Sequence, residues 1–334
     1  MKIPRFRMAG AWGLGILLIL LLFIVGDVSR IGSFPSVSWA ALAALFISHV
    51  GFTVAHNFRW KGIVENLPPP GRTDFFPLFR SLVDSYAIGK IIPMDASLLG
   101  VRSYYLTRVQ KTSVSMAVFS VLLDRFLDII LFLIMAIPSF LLMTKATDTT
   151  WSFVVLILLL LGQGIVIGWK KGETFHFFTS LYRFFLLHGV SKIPFLKSRV
   201  KEGLEVTGGP EQFNLRSVME IMIWNYIKYL FLCLRFFFTG QALGIPLPLI
   251  ESFFFLPFVQ LSGLISVTPG GIGFVEAGTY GALSLMGIPA PQILIFIVGQ
   301  RILLTAAFLS LFLLNRLFYF AHSKWRSEEG LSWK

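Results

Sequence analysis

The segment Val267-Thr-Pro-Gly-Gly-Ile-Gly-Phe-Val-Glu-Ala-Gly278 breaks a long apolar stretch of the sequence into two parts. Pro269 lacks a backbone N–H, and the glycines after it cost the most entropy to order in a helix. The flanking runs, Glu251–Ser266 and Phe274–Met286, are each too short to cross a hydrocarbon core of roughly 30 Å comfortably. We therefore predict a re-entrant hairpin of two half-helices. Broken backbone at membrane depth must be buried in protein or line a polar cavity, so this hairpin marks a candidate site.

The composition is that of a polytopic membrane protein, because 55% of the 334 residues are hydrophobic and only 14% are charged. The formal net charge of +12 raises the alternative of a nucleic-acid partner. However, most of the 29 Lys and Arg residues fall in segments that would share one side of the membrane. This asymmetry follows the positive-inside rule. We therefore expect a multi-pass protein of the inner (cytoplasmic) cell membrane, with the membrane and no nucleic acid as its partner.

Six apolar runs are predicted to span the membrane, at about Met8–Gly26, Val37–Phe58, Ser113–Met143, Trp151–Trp169, Val218–Leu243 and Pro291–Phe320. Basic residues before the first run resemble a signal peptide, but no Ala-x-Ala-like cleavage site follows closely, so we expect an uncleaved span. Basic residues also place both termini and the loop 172–216 in the cytoplasm, with an interfacial helix inside that loop. After the second run, Arg59, Trp60 and Lys61 are typical of an inner-interface anchor.

A second break, Lys90-Ile-Ile-Pro93, separates the apolar stretches Phe75–Gly89 and Ala96–Leu106. Basic residues flank both ends, which predicts another re-entrant hairpin, entered from the inner face. The order span, span, hairpin, span then occurs twice, in residues 1–145 and 146–334. Because each half contains an odd number of spans, three, the second half has the opposite orientation in the membrane. We therefore expect one all-α membrane domain, residues 1–334, built as an inverted-topology repeat.

The spacing of two prolines and two arginines agrees with this repeat. Pro93 and Arg125 are 32 positions apart, as are Pro269 and Arg301. We interpret both prolines as structural hinges of the breaks. In secondary transporters with this architecture the substrate binds near the bilayer midplane, at the interface of the repeats. The pattern thus predicts a substrate site between the two hairpins.

Charged residues inside the apolar runs are the candidate substrate-binding residues. Asp124, Arg125 and Asp128 lie about one helical turn apart, and such charges are costly in a membrane unless they face protein or water. One interpretation is an internal salt-bridge cluster. The other is that Arg125 and Arg301 bind an anionic headgroup, for which the planar guanidinium is well suited.

The broken segments add further candidates. Unpaired N–H groups and three glycines of the Pro269–Gly273 loop would let an anion approach the backbone; they are Gly270, Gly271 and Gly273. The alternative is that these glycines serve only tight packing. Glu276 would either pair with an arginine when no substrate is bound or carry a proton. Lys90 and Arg102 flank the first break, and Arg102 is also interpreted as an inner-interface cation.

Catalytic and metal sites have little support in the sequence. Cys233 is the single cysteine, which excludes an intramolecular disulfide and a Cys-based metal site. The five histidines form no ligand-spaced cluster with carboxylates. There is no nucleophile elbow or P-loop. We therefore expect no catalytic residue, no metal and no cofactor.

Nearly the whole chain resembles the lysylphosphatidylglycerol synthase transmembrane region, also known as flippase-like UPF0104 membrane proteins. The residues that carry the resemblance are Arg59, Pro93, Arg102, Asp124-Arg125-x-x-Asp128, Pro269-Gly-Gly-x-Gly-x-x-Glu276 and Arg301. In two-domain members this region moves aminoacylated phosphatidylglycerol between leaflets, and a soluble domain performs the aminoacyl transfer. We expect no such soluble domain here, so the resemblance does not imply lysyl-lipid synthesis. Other stand-alone members are linked with polyisoprenyl-phosphate sugars and hopanoids, which implies an anionic or lipid-linked substrate.

Three hypotheses follow for the function. The leading one is a flippase or transporter for an anionic phospholipid or a lipid-linked phosphate. The second is a membrane-embedded glycosyltransferase acting on a polyisoprenyl-phosphate sugar, with Asp124, Asp128 or Glu276 as its base. The third is a scaffold that recruits a lipid synthase through a basic cytoplasmic face. A homo-oligomer and an association with a lipid-modifying enzyme are both compatible with the sequence.

Overall fold

The computed structural model of the chain describes residues 38–67, 72–169, 180, 214–264 and 268–328. Over these residues the secondary structure consists of α-helices and one 3₁₀ turn, without a strand. The predicted all-α class is therefore confirmed for the described part of the chain. The predicted first span, Met8–Gly26, and the predicted interfacial helix of the loop 172–216 lie outside the described residues.

The helices of the described ranges are numbered along the chain. They are α1 (Trp39–Glu65), α2 (Phe75–Ile88), α3 (Met94–Val109), α4 (Val114–Met143), α5 (Thr149–Trp169), α6 (Leu215–Ala242), α7 (Leu249–Leu264), α8 (Phe274–Leu285) and α9 (Ala290–Glu328). The 3₁₀ turn, Pro269–Gly271, lies between α7 and α8.

Four helices, α1, α4, α6 and α9 as far as Phe320, are long and apolar enough to cross a membrane. They coincide with four of the predicted spans, and α5 is an apolar helix at the position of another. Three of these four helices, α1, α4 and α6, each begin at a side-chain N-cap, supplied by Ser38, Ser113 and Asn214. The chain therefore folds as a multi-pass helical membrane protein.

The two breaks between short helices lie against each other. The first separates α2 from α3, which begins directly after Pro93. In the second, Gly270 has a φ of 60° and Gly273 a φ of 88°, a left-handed conformation that favours glycine. A Cβ atom added to Gly270 would lie 3.8 Å from the carbonyl oxygen of Lys90. The backbones of the two breaks thus approach closely.

The contacts between helices form matched pairs. The neighbours α1–α2, α2–α3, α3–α4 and α1–α4 have counterparts in α6–α7, α7–α8, α8–α9 and α6–α9. Across the two groups, α4 packs on α7 as α9 packs on α2, and the largest interface joins α1 to α6. The buried core follows these interfaces.

Candidate functional site

A cavity of about 220 Å³ lies beside the two breaks. Its described lining includes five cationic and two anionic side chains, Lys90, Arg125, Lys228, Arg235, Arg301, Asp95 and Asp128. Apolar side chains form much of the remaining wall, among them Phe52, Phe132, Leu232, Val259, Leu304 and Phe308. The cavity therefore combines a cationic region with an apolar surface.

A buried ion network centred on Arg59 lies behind this cavity. Arg59 on α1 is fully buried, and its Nε donates to Asp124 Oδ1 of α4 at 2.8 Å. Its Nη1 donates to Asp128 Oδ1 and to Asn225 Oδ1 of α6, each at 2.5 Å. A buried charge is tolerated only when it is paired and hydrogen-bonded, and these partners meet that need. One guanidinium thus joins α1, α4 and α6.

Asp124 receives two further donors. Arg102 Nη1 of α3 and His56 Nε2 of α1 each lie 2.8 Å from Asp124 Oδ2. An ionised carboxylate can only accept, so a neutral His56 must carry its proton on Nε2, and its Nδ1, 2.5 Å from the Tyr86 hydroxyl oxygen, is then the acceptor. The Arg102 guanidinium also lies 3.7 Å from the ring centroid of Trp60. Asp124 is therefore saturated with partners.

Asp128 connects this network to the cavity. Lys228 Nζ of α6 donates to Asp128 Oδ1. Arg125 Nη1 lies 3.4 Å from Asp128 Oδ2, so the i,i+3 pair expected from the sequence is present. The Nε of Arg125 lies 3.0 Å from Asp95 Oδ1 on α3. The guanidinium of Arg125 is thus held between two carboxylates.

The second break holds a separate ion pair. Arg301 Nε of α9 donates to Glu276 Oε1 at 2.5 Å, and Nη1 donates to the carbonyl oxygen of Gly270 at 2.7 Å. The other oxygen of Glu276, Oε2, accepts from the N–H of Gly273 at 2.7 Å. Glu276 therefore satisfies a backbone donor at the start of α8 while it neutralises Arg301.

Besides Lys228, whose Nζ lies 5.8 Å from the ring centroid of Phe52, two more cavity cations lie over aromatic rings. Lys90 Nζ is 4.6 Å from the ring centroid of Phe308, and the Arg235 guanidinium is 4.6 Å from that of Phe52. Arg235 Nη1 also lies 3.5 Å from Nδ1 of the buried His49. Neither cation forms an ion pair with a carboxylate in the part of the chain that the structure describes.

The structure brings six of the candidate substrate-binding residues to the cavity: Lys90, Arg125, Asp128, Gly270, Gly271 and Arg301. Glu276 and Gly273 lie behind Arg301, which Glu276 contacts. Asp124 and Arg102 belong to the buried network and are absent from the described lining. Pro93 directly precedes α3 and Pro269 begins the 3₁₀ turn, and their role as hinges stays a prediction.

Three residues predicted as inner-interface anchors are instead buried inside the protein. Arg59, Trp60 and Arg102 are each 0% exposed, whereas an interface anchor would reach the headgroup region. Asp124 supplies the counter-charge that lets both arginines be buried, and Trp60 stacks against Arg102. A position at the end of an apolar run does not reveal this distant partner.

Several network residues lacked a useful signal in the sequence. His56, Tyr86 and Asn225 are ordinary polar residues within apolar runs, and only folding brings them to Asp124 and Arg59. Lys228 and Arg235 carried a weak signal, because a spacing of seven places both on one helix face. In the described ranges, no group of three or more His, Cys, Asp or Glu side chains is arranged to hold a metal ion.

Comparison with known proteins places these residues in a family. A protein-family model described as "Lysylphosphatidylglycerol synthase TM region" matches residues 10–312. A UPF0104 membrane protein of Methanothermobacter thermautotrophicus is 22% identical over 292 residues, which cover 83% of this chain and 83% of that protein. No solved structure gives a significant match.

Proposed function

The chain belongs to the lysylphosphatidylglycerol synthase transmembrane-region family, and from this premise we propose that it is a lipid flippase. The substrate is an anionic phospholipid or a lipid-linked phosphate that moves between the leaflets. Its headgroup binds in the cavity beside the two breaks. Its acyl or prenyl chains lie along the apolar wall and the adjoining membrane.

The observation that carries this proposal is the excess of cations in the cavity lining. In its described lining, five cationic side chains face two carboxylates. Glu276 pairs with Arg301 behind the lining and can be counted as a third carboxylate. The cations still outnumber the carboxylates. Uncompensated cations at membrane depth are costly, so an anionic ligand would stabilise the site.

In this mechanism the anionic headgroup competes with Glu276 for Arg301. Arg301 offers a planar fork, which binds two phosphate oxygens at once. The Gly270 carbonyl and Glu276 hold this fork when the headgroup leaves. Arg125 and Lys90, which also line the cavity, add further positive charge. Exchange between headgroup and carboxylate would let the site release its lipid.

The proposed architecture is an inverted repeat, residues 1–145 and 146–334, with α2–α3 and α7–α8 as re-entrant hairpins. The matched contacts of the two helix groups support it, because an inverted repeat would give each contact in one half a counterpart in the other. The proximity of the two breaks supports a substrate site at the repeat interface. Both termini would then lie in the cytoplasm.

The glycosyltransferase hypothesis has less support from the geometry. A general base needs an oxygen free to accept a proton from the substrate. Asp124, Asp128 and Glu276 are each engaged by at least one arginine at 2.5 to 2.8 Å. The scaffold hypothesis gives no reason for a cationic cavity at all.

The test is leaflet exchange of a fluorescent anionic phospholipid in proteoliposomes. The wild-type chain should accelerate exchange, and Arg301→Ala should abolish the acceleration while the variant still folds, as a cooperative thermal melt shows. Arg316→Ala is the matched control, because this arginine is on the same helix but pairs with Asp84 outside the cavity. Equal rates for the wild type and Arg301→Ala would show that the charge is structural and the proposal wrong.

A further inference from the structure

The cavity cations differ in whether a carboxylate already neutralises them. Lys228 and Arg125 contact Asp128, and Arg301 contacts Glu276. By contrast, no ion pair to Lys90 or Arg235 exists within the described ranges. The rings of Phe308 and Phe52 offset these charges only in part, because a cation–π contact is weaker than a buried ion pair.

Lys90 and Arg235 approach the same part of the cavity through shared neighbours. Phe308, which lies under Lys90, packs edge-on against His49 with ring centroids 4.1 Å apart. His49 is in turn the residue that Arg235 approaches. Two like charges confined in one cavity of low dielectric repel each other strongly, and a shared anion would relieve that repulsion.

Arg301 adds a free donor to these two cations. Its Nε and Nη1 are occupied by Glu276 and Gly270, while its buried Nη2 has no hydrogen-bond partner. Gly270 lies against the backbone of Lys90, so the two donors belong to the same end of the site. An unpartnered buried guanidinium N–H is costly and is best satisfied by a ligand oxygen.

We propose that Lys90, Arg235 and Nη2 of Arg301 form the subsite for a terminal phosphomonoester, which makes the substrate a lipid whose headgroup is a dianion. This inference rests on the proposed function and restricts its substrate to lipids whose headgroup ends in a phosphomonoester.

The charge count selects the monoester over other headgroups. Among the described residues, the cavity and the buried network contain seven cations (Arg59, Lys90, Arg102, Arg125, Lys228, Arg235, Arg301) and four carboxylates (Asp95, Asp124, Asp128, Glu276), an excess of three. A phosphodiester supplies one negative charge, whereas a phosphomonoester carries about −1.5 to −2 at pH 7. A phosphodiester headgroup that also carries an ammonium group has no net negative charge, so it would leave the excess uncompensated.

The experiment measures lipid binding by native mass spectrometry of the full chain in phosphatidylcholine nanodiscs. These are doped with phosphatidic acid, a monoester, or with phosphatidylglycerol, a diester. The wild-type chain should retain phosphatidic acid about tenfold more strongly than phosphatidylglycerol, because one additional charge-assisted hydrogen bond gives about this difference in affinity. Lys90→Gln combined with Arg235→Gln should remove this preference. Arg316→Gln, outside the cavity, should keep it. Equal retention of the two lipids by the wild type, or a preference that survives the double variant, would overturn the subsite.

Two further arms separate the remaining explanations. Excess inorganic phosphate should leave phosphatidic acid bound, whereas displacement of phosphatidic acid would assign the site to free phosphate rather than to a lipid.

The double variant should melt at a higher temperature than the wild type in phosphatidylcholine alone, because it removes repulsion between like charges. A lower melting temperature would mean that these cations are structural. Leaflet exchange is scored separately: selective binding without exchange refutes the flippase and keeps the subsite, whereas unselective exchange refutes only the subsite.

Discussion

Asp124 is the residue on which the buried network depends, since it accepts from Arg59, Arg102 and His56. Asp124→Asn keeps the shape but removes the charge that two buried arginines need. Breaking a buried ion pair costs about 3–5 kcal/mol, so we expect a large fall in melting temperature. Asp84→Asn is the matched control, because Asp84 is 20% exposed and pairs with the more exposed Arg316. Similar melting temperatures for the two variants would contradict the central role of this network.

Arg301→Lys tests whether the cavity needs geometry as well as charge. Lysine retains the cation but cannot hold Glu276 and Gly270 together as the guanidinium does. We expect slower leaflet exchange by about tenfold or more. Glu276→Gln should retain anionic lipid longer and also exchange it more slowly, since it removes the competitor of the headgroup. Wild-type exchange rates for both variants would exclude the competition between headgroup and carboxylate.

At the residue scale the sequence identified charges but not their partners. The Asp-Arg-x-x-Asp motif and Arg301 indicated a charged centre, because charges are rare in apolar runs. Which arginine meets which carboxylate depends on packing between helices that are distant in sequence. Arg59 and Asp124 are separated by 65 positions, so no local pattern could connect them.

At the element scale, close packing of α7 on α8 requires a glycine. A Cβ atom added to Gly278 would lie 2.6 Å from Ser262 Cβ, which cannot rotate away. Gly278→Ala should destabilise the protein by about 1–3 kcal/mol, the usual effect of overpacking. Gly281→Ala on the same helix is the control, because its Cβ would meet nothing within 4 Å. Thermal melts in detergent measure both, and Ser262→Gly should restore the stability of Gly278→Ala.

The elements themselves were the most predictable part of the molecule. The two breaks have local physical causes that the residue types reveal. Pro93 lacks a backbone N–H, and glycines favour the positive φ angles of the Gly270–Gly273 turn. The short helices around these breaks therefore matched the predicted apolar stretches closely. Their position relative to the bilayer depends on the surrounding helices and was not determined by the same signals.

At the scale of the whole molecule, α1, α4 and α6 form a frame that the Arg59 network holds together. We expect this frame to stay fixed while lipid moves. A Cβ at Gly62 would lie 3.0 Å from Cγ1 of Ile221, a separation suited to a disulfide between cysteines at these positions. This α1–α6 crosslink, made in a Cys233→Ser background, should leave exchange unchanged.

A second disulfide tests whether α9 must move relative to the frame of α1, α4 and α6 during exchange. A Cβ at Gly299 would lie 3.1 Å from Cγ of Leu243, so cysteines there would join α9 to the end of α6. Because α9 carries Arg301, this crosslink should slow exchange, and reduction should restore it. Inhibition by the α1–α6 crosslink, or none by the α9 crosslink, would assign the motion elsewhere.

The proposed orientation of the chain has its own test. Single cysteines in the same background are labelled with an impermeant maleimide in intact cells. A cysteine in the 144–148 turn between α4 and α5 should react from outside, because the positive-inside rule places this turn there. A cysteine at Glu202 should react only after the cells are opened. Reaction at Glu202 in intact cells would reverse the topology.

The cationic excess of the cavity also has an electrical consequence. The fixed cations stay with the protein, whereas a bound phosphate headgroup carries its negative charge across the membrane field. Each elementary charge moved through 100 mV changes the free energy by about 2.3 kcal/mol. In an energised cell, whose interior is negative, a dianion therefore gains about 4–5 kcal/mol per 100 mV when it moves to the outer leaflet. The membrane potential alone would then set the direction of transport, and an ionophore that collapses it would leave the lipid evenly distributed.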